Sequence, residues 1–289
     1  MSYDAITLNR LSPNIGAEVR DIDITRPLSN AQVDQLHRAL GEFGVLFFRD
    51  QDFNHDSQKQ FGRYFGQLDI HPNAPGPEGH PEILPIHADA NSKRINGERW
   101  HSDVSCFQEP PLGSILHLHT VPPIGGDTLF SSLAAAYDAL SPKLKTYLEG
   151  LTATHSGERS YRRTNRLLGI DDSGRVHPSA VHPVVIRHPI SGRRGLYVNR
   201  GFTVRINEVS EEESEAILGY LYSHAEKPDF QVRFQWQPNS VAFWDNRAVQ
   251  HLAVWDYFPN TRSGSRVTVK GEALHAWVQG HATDPAGAV

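Results

Sequence analysis

The residues best suited to chemistry are His101 and Asp103, in Trp100-His101-Ser102-Asp103, and His251, in Gln250-His251. Two imidazole nitrogens and one carboxylate on one face of a metal leave three positions of an octahedral ferrous ion open for substrate and dioxygen. Side chains of a β-strand alternate faces, so His101 and Asp103, separated by one residue, point the same way and can grip one ion from one strand. The third ligand has to come from elsewhere, and His251 follows the apolar run Val241-Ala242-Phe243-Trp244. Beyond it, Arg262 and Arg266 share a face if that stretch is extended, which places an anion clamp beside the metal.

The elements that must position these groups are partly legible. Ser29-Asn30-Ala31-Gln32 forms a capping box ahead of Val33, Leu36, Leu40 and Phe43, which recur at helical spacing until Gly44 stops the helix. Val45-Leu46-Phe47-Phe48 reads as a short buried strand, and Asp56 to Phe65 as a second amphipathic helix closed by Gly66. From Ile115 to Val269 short apolar runs alternate with turn signals such as Pro122-Pro123-Ile124-Gly125-Gly126-Asp127 and Ser191-Gly192, the pattern of an antiparallel sandwich or barrel. Two helices are expected to interrupt it: Ser132 to Gly150, and one opening with the capping box Ser210-Glu211-Glu212-Glu213. The segment from Pro72 to Arg99, rich in Pro, Gly, Asn and His, reads as a loop leading into the first ligand, and long loops at a site often act as lids.

Composition narrows the class. The 289 residues are 38% hydrophobic and 21% charged, with a mean hydropathy of −0.46, which describes a globular chain with a sizeable core. A single domain over 1–289 is expected, with the last few residues disordered. The net charge of −5 is spread along the chain without a basic block, which argues against a nucleic-acid partner. One cysteine, Cys106, excludes an internal disulfide framework and fits a reducing compartment. With no apolar run long enough to span a bilayer and no N-terminal signal pattern, no membrane partner is expected and the cytoplasm is the expected location.

Six motifs in order give the chain a resemblance: Phe65-Gly66-Gln67-Leu68-Asp69-Ile70-His71-Pro72, Trp100 to Val104, Gly125-Gly126-Asp127-Thr128, His182-Pro183-Val184-Val185, Tyr197 to Phe202, and Trp244 to His251. Over nearly its whole length it resembles the Fe(II)- and 2-oxoglutarate-dependent dioxygenases of the taurine dioxygenase (TauD/TfdA) family. The resemblance implies a mainly β fold with flanking helices around a double-stranded β-helix, or jelly-roll, core. It makes His101, Asp103 and His251 the iron ligands. It gives Arg262, eleven residues after the distal histidine, and Thr128 to the far carboxylate of 2-oxoglutarate. Arg266 and His71 match the residues that hold the substrate's sulfonate, while Val104, Tyr161 and Phe202 match positions lining its organic end.

The chain departs from the taurine enzymes at Ala74, where they carry a tyrosine, and at Gly97, where they carry an asparagine near the amine. Both changes remove partners for an ammonium group, so alkyl sulfates and larger alkyl sulfonates become candidates beside taurine. The implied reaction uses O2 and 2-oxoglutarate, with ascorbate as the reductant in vitro. It hydroxylates the carbon next to the sulfur-bearing group and yields an aldehyde, sulfite or sulfate, succinate and CO2, a role in sulfur metabolism. The same chemistry on a carboxylate such as a phenoxyalkanoate is the alternative. Asp103 argues against halogenation, which needs that ligand position vacant. A binding module with a structural metal would fill the coordination sphere with protein ligands, and a zinc hydrolase would show no 2-oxoglutarate dependence. The partner is a small anionic organic molecule, and relatives imply a homo-oligomer, a dimer or tetramer.

Overall fold

The computed structural model describes residues 2–71, 76–93, 95 and 97–276. In chain order the elements are β1 (Thr7–Arg10), β2 (Ala17–Arg20), α1 (Asn30–Phe43), β3 (Val45–Phe48), α2 (His55–Arg63), β4 (Leu84–Ala88), β5 (Gly113–Thr120) and β6 (Thr128–Ser132). Then come α3 (Leu133–Asp138), α4 (Pro142–Leu148), β7 (Thr152–Ser156), α5 (Glu158–Leu168), β8 (Ser179–Pro183), β9 (Val185–Arg187), β10 (Arg194–Leu196) and β11 (Thr203–Ile206). The chain continues through α6 (Glu211–Ala225), β12 (Gln231–Phe234), β13 (Ser240–Asp245), β14 (Val249–Ala253) and β15 (Arg262–Val269).

The main sheet runs β1-β2-β3-β13-β5-β15-β4 and faces a three-stranded sheet β12-β6-β14. This is a mainly β fold with flanking helices, its double-stranded β-helix core lying between those two sheets. Its central strands are buried on both faces, which is why Val45 to Phe48 and Val241 to Trp244 are unbroken apolar runs. Phe47, Ala242 and Trp244 point into the barrel to meet Phe130, Val232 and Phe234. Their neighbours Leu46, Phe48, Val241 and Phe243 point outward, against Leu36, Leu40 and Phe43 of α1 and Phe61 of α2. The two periodicities interlock, 2.0 in the strands and 3.6 in the helices.

Both predicted capping boxes form, at Ser29 with Gln32 and at Ser210 with Glu213, and Gly44 closes α1 in the left-handed conformation at φ 71°. Four expectations are corrected. The helix expected from Ser132 to Gly150 is two short ones, because Pro142 cannot continue a helix and instead opens α4 at its first turn, capped by Ser141. The second helix starts on the cap Asn54 and ends at Tyr64, so Gly66 lies beyond it. A further helix, α5, interrupts the strand region, polar along most of its length and opening on Gly157 without a side-chain cap. The segment expected as a loop from 72 to 99 contains β4, an edge strand on β15, and the edge tolerates Pro85 because one side needs no donor. Ala74 and the final residues 277–289 lie outside the described residues. Among the described residues no helix is long and apolar enough to cross a membrane.

Candidate active site

One backbone bridge joins the two ligand segments. His101 N–H donates to the His251 carbonyl at 3.0 Å and His251 N–H to the His101 carbonyl at 2.8 Å, so the two residues sit directly opposite each other with ring centroids 4.1 Å apart. His251 lies in β14, whereas His101 meets it through an isolated bridge and not a strand ladder, with Ser102 Oγ donating to the Val249 carbonyl at 2.9 Å beside it. Asp103 therefore does not lie on a strand as the spacing suggested. The chain turns at 103–106, and it is the turn that swings the carboxylate toward the histidines. Val104, next in the turn, has φ 39°, a strained conformation for a β-branched residue and of the kind that accumulates where function dictates geometry.

The outcome is a compact triad. One ligand atom from each of His101, Asp103 and His251 lies within 4.8 Å of the others, with Asp103 Oδ1 3.6 Å from His101 Nε2 and 3.9 Å from His251 Nε2. His101 Nδ1 lies 2.8 Å from the Arg99 carbonyl; a proton held there leaves the Nε2 lone pair free for a metal. Burial, reinforced by His101, holds the His251 imidazole well below the usual histidine range, so it is neutral as a ligand must be. For Asp103 burial pushes the carboxyl up, but Arg266, His251 and His101 outweigh it and hold it well below the usual carboxylate range. The donors and their charges fit a divalent transition metal.

Several groups position Asp103 that the sequence did not reveal. Ser114 Oγ, buried on β5, donates to Asp103 Oδ2 at 2.7 Å. The Asn246 side chain accepts from Asp103 N–H at 3.2 Å and from Trp244 Nε1 at 3.0 Å. Beneath the turn, Ser105 Oγ meets His155 Nδ1 at 3.0 Å and Asn199 Nδ2 at 3.1 Å, while His182 Nε2 meets the Ser105 and Phe107 carbonyls at 2.9 and 3.0 Å. The motifs around His182 and Asn199 thus support the turn from below. No local sequence pattern marks a lone serine such as Ser114, because the contact is made only when β5 packs beside the turn.

The two arginines of β15 occupy different neighbourhoods. Arg266 Nη1 donates to Asp103 Oδ1 at 3.1 Å and Oδ2 at 3.2 Å, which brings its cation to the metal position. Arg262 is buried, with its guanidinium 5.4 Å from the centre of the Trp236 ring, and Trp236 Nε1 donates to Thr128 Oγ1 at 3.0 Å. Arg262 and Thr128 therefore meet at one tryptophan. Gly126, at φ 73°, lets the preceding loop pass, since a Cβ there would come within 3.0 Å of Pro122 and 3.4 Å of Arg262. Burial pushes the Arg262 guanidinium down to about 10, against the opposing pull of Tyr257 and Asp127. The Nε–H groups of Arg262 and Arg266 are both buried without a hydrogen-bond partner among the described residues, an arrangement that suits carboxylate or sulfonate oxygens.

The other expected residues gather around this centre. His71 is within electrostatic reach of Arg266 and Asp103, and burial followed by Arg266 holds its imidazole below the usual range. The Phe202 ring stands edge-on to His101 at 6.3 Å. Tyr161, on α5, hydrogen-bonds Cys106 and stacks on His177 at 5.7 Å; burial pushes its phenol up, and the Asp103 charge reaches it. Gly97 lies against the coordinating edge of His101: a Cβ there would stand 3.3 Å from His101 Cε1 and 3.9 Å from Nε2.

Comparison with known proteins gives a consistent picture. The family model described as "Taurine catabolism dioxygenase TauD, TfdA family" matches residues 7–268. An "Alpha-ketoglutarate-dependent sulfonate dioxygenase" of Saccharomyces cerevisiae is 34% identical over 92% of this chain and 67% of its own length. An "Alpha-ketoglutarate-dependent sulfate ester dioxygenase" of Pseudomonas putida is 35% identical over 92% of this chain and 90% of its own. A taurine dioxygenase crystal structure from Burkholderia xenovorans superposes with a TM-score of 0.82 at 37% identity, covering 94% of this chain and 91% of that one.

Proposed function

From the premise that the chain belongs to the TauD/TfdA family of 2-oxoglutarate-dependent dioxygenases, we propose that it hydroxylates the carbon next to a sulfonate or sulfate ester group. The observation that carries the reading is the compact His101–Asp103–His251 triad with Arg266 held against Asp103, on the same strand as the buried Arg262, the Nε–H of each arginine lacking a partner among the described residues. His101, Asp103 and His251 would hold Fe(II), Arg262 and Thr128 would hold the far carboxylate of 2-oxoglutarate, and Arg266 with His71 would hold the anionic head of the substrate. The names of the yeast and Pseudomonas relatives support the sulfur-bearing head.

Iron and 2-oxoglutarate, when bound with O2, supply the oxidising power that converts a C–H bond to C–OH while 2-oxoglutarate becomes succinate and CO2. The chain's own residues do the positioning. Neutral His251 would present a lone pair, as would His101 through Nε2, and the ionised Asp103 would supply a negative charge against a divalent ion. Arg266 already lies against Asp103, so an anion bound by its remaining donors would be held next to the residues that would carry the metal, with its first carbon turned toward them. Val104, Tyr161 and Phe202 enclose that carbon and exclude water. A hydroxyl placed on it makes an adduct that collapses to an aldehyde, with sulfite leaving from a sulfonate or sulfate from an ester.

The test is succinate formation with Fe(II), ascorbate and 2-oxoglutarate over taurine, longer alkyl sulfonates, alkyl sulfates and phenoxyacetates, with sulfite, sulfate and phenol followed in parallel. Sulfite or sulfate release in step with succinate is the expected result, with Arg266→Gln raising KM for that substrate. Stimulation by phenoxyacetates alone, with phenol released, overturns it.

A further inference from the structure

A cleft of 1020 Å³ opens beside the candidate metal centre. Its walls extend the two ligand segments. Arg99 precedes His101, Leu252 to Trp255 follow His251, and the segments are tied by Ala253 N–H donating to the Gly97 carbonyl at 2.9 Å. The third wall is α5. The cleft is larger than a sulfonate head and a 2-oxoglutarate need, and lies at the upper end of ligand-site volumes, which run to about 1,000 Å³.

Its charge is the informative feature. Six cations line it, Lys93, Arg99, Arg159, Arg162, Arg163 and Arg166, against one carboxylate, Glu98, in a chain whose net charge is −5. Arg162 is neutralised by Glu158 at 2.8 Å and Asp172 at 3.7 Å, and Arg163 by Glu98 at 3.6 Å. Lys93, Arg99, Arg159 and Arg166 form no ion pair among the described residues. The α5 arginines recur at helical spacing, so Arg159 with Arg163 and Arg162 with Arg166 are like-charged neighbours, each costing a few tenths of a kcal/mol in helix stability. Such a stripe facing a cleft disfavours the free helix and favours an anionic guest. The remaining lining, Leu167, Leu252, Val254 and Trp255, is apolar and suited to a hydrocarbon or aromatic body.

We propose that the substrate carries two anionic groups on one organic body, the reacting head at Arg266 and a distal anion in this cleft, held by Arg159, Arg166, Arg99 and Lys93. The inference rests on the reading of Arg266 given above and deepens it by naming the substrate class. The cleft sets specificity by charge at a distance from the reacting carbon, and the apolar residues that line it with the cations receive the organic body.

The test is calorimetric binding to the metal-loaded protein without 2-oxoglutarate, so that nothing turns over. The probes are the bis-sulfate of an alkane-α,ω-diol and the monosulfate of the same carbon chain. The wild-type protein is expected to bind the bis-sulfate at least about tenfold more tightly, a difference of 1.4 kcal/mol. The R159Q/R166Q double variant, changed at two exposed and unpaired side chains, should lose most of that ratio, and added salt should lower it. Arg266→Gln should weaken both probes and leave the ratio in place. Equal affinities in the wild type, or a ratio unchanged in the double variant, overturn the proposal. If Arg266→Gln weakens neither probe while the double variant still removes the preference, the head-group assignment fails and the cleft stands.

Discussion

Replacing Arg262 by methionine separates what its charge does for binding from what it does for folding. The guanidinium is buried and pushed from 12.5 to about 10, which at 1.36 kcal/mol per unit puts its burial cost at roughly 3 kcal/mol. Both values lie far above neutrality, so the group is charged at pH 7 and the full cost is borne by the free protein. The ring of Trp236 at 5.4 Å returns about 1 to 2 kcal/mol. Methionine keeps much of the volume without the charge, so Arg262→Met should unfold at no lower temperature than the wild type when 2-oxoglutarate is absent. With 2-oxoglutarate and Mn(II) at a hundred times Kd the wild type should gain about 2.7 kcal/mol, and the variant almost nothing. Leaving the ligand's carboxylate without its partner in a buried site costs about 3 to 5 kcal/mol, so KM for 2-oxoglutarate in the succinate assay should rise by roughly two to four orders of magnitude. Arg262→Lys, with a charge but no fork, should fall between. A KM within about threefold of wild type, or equal stabilisation of both proteins by 2-oxoglutarate, refutes the assignment and the reasoning from the orphaned Nε–H.

Chelation should abolish succinate formation, with Fe(II) restoring it in the wild type but not in Asp103→Ala; restored activity in that variant removes Asp103 from the ligand set. Ser114→Ala deletes the hydrogen bond that orients Asp103 Oδ2 and should weaken Mn(II) binding about tenfold in equilibrium dialysis, the lower end of the effect of such supporting groups. Unchanged affinity assigns Ser114 to packing alone. His155, pushed down from 6.5 to about 3 by burial and then by His182, is neutral in the folded protein. Its stability contribution is complete above pH 6.5 and is lost as pH falls toward 3, amounting to about 2 kcal/mol by pH 5. Urea unfolding at pH 7.5 and pH 5 reads this loss, and His155→Leu should flatten it; an equal slope in the variant assigns the acid lability to other groups.

The candidate triad, which the structure brings together, and the Arg266 beside it could be picked out in the sequence because each depends on residue type and on motifs of a few residues. The architecture was legible where one element's own pattern decides it, as in the capping boxes at Ser29 and Ser210 or the doubly buried run from Val241 to Trp244. What escaped was decided by partners distant in sequence. β4 is a strand because β15 offers it an edge, and its own residues, with Pro85 among them, look like loop. Asp103 faces the histidines from a turn and not from a strand, and the turn is held by Asn246, Ser105, His155, His182 and Asn199, contributed by segments as far as 143 residues away.

That substitution of turn for strand has a chemical consequence. A strand would fix Asp103 through ladder hydrogen bonds and leave its carboxylate at the mercy of a flexible side chain. The turn accepts strain at Val104, with φ 39°, and fixes the carboxylate itself, through Ser114 on Oδ2 and Arg266 on both oxygens. A metal there meets an Oδ1 already oriented, and the same Arg266 that orients it stands ready for the substrate's anion. Metal binding and anion binding are therefore coupled through one guanidinium. Charge withdrawn from Asp103 by a metal weakens its hold on Arg266 Nη1 and frees donors for a sulfonate or sulfate, so each guest should tighten the other, a reciprocity that linkage requires. Mn(II) affinity measured with and without a saturating alkyl sulfate checks it, and the expected mutual tightening should vanish in Arg266→Gln.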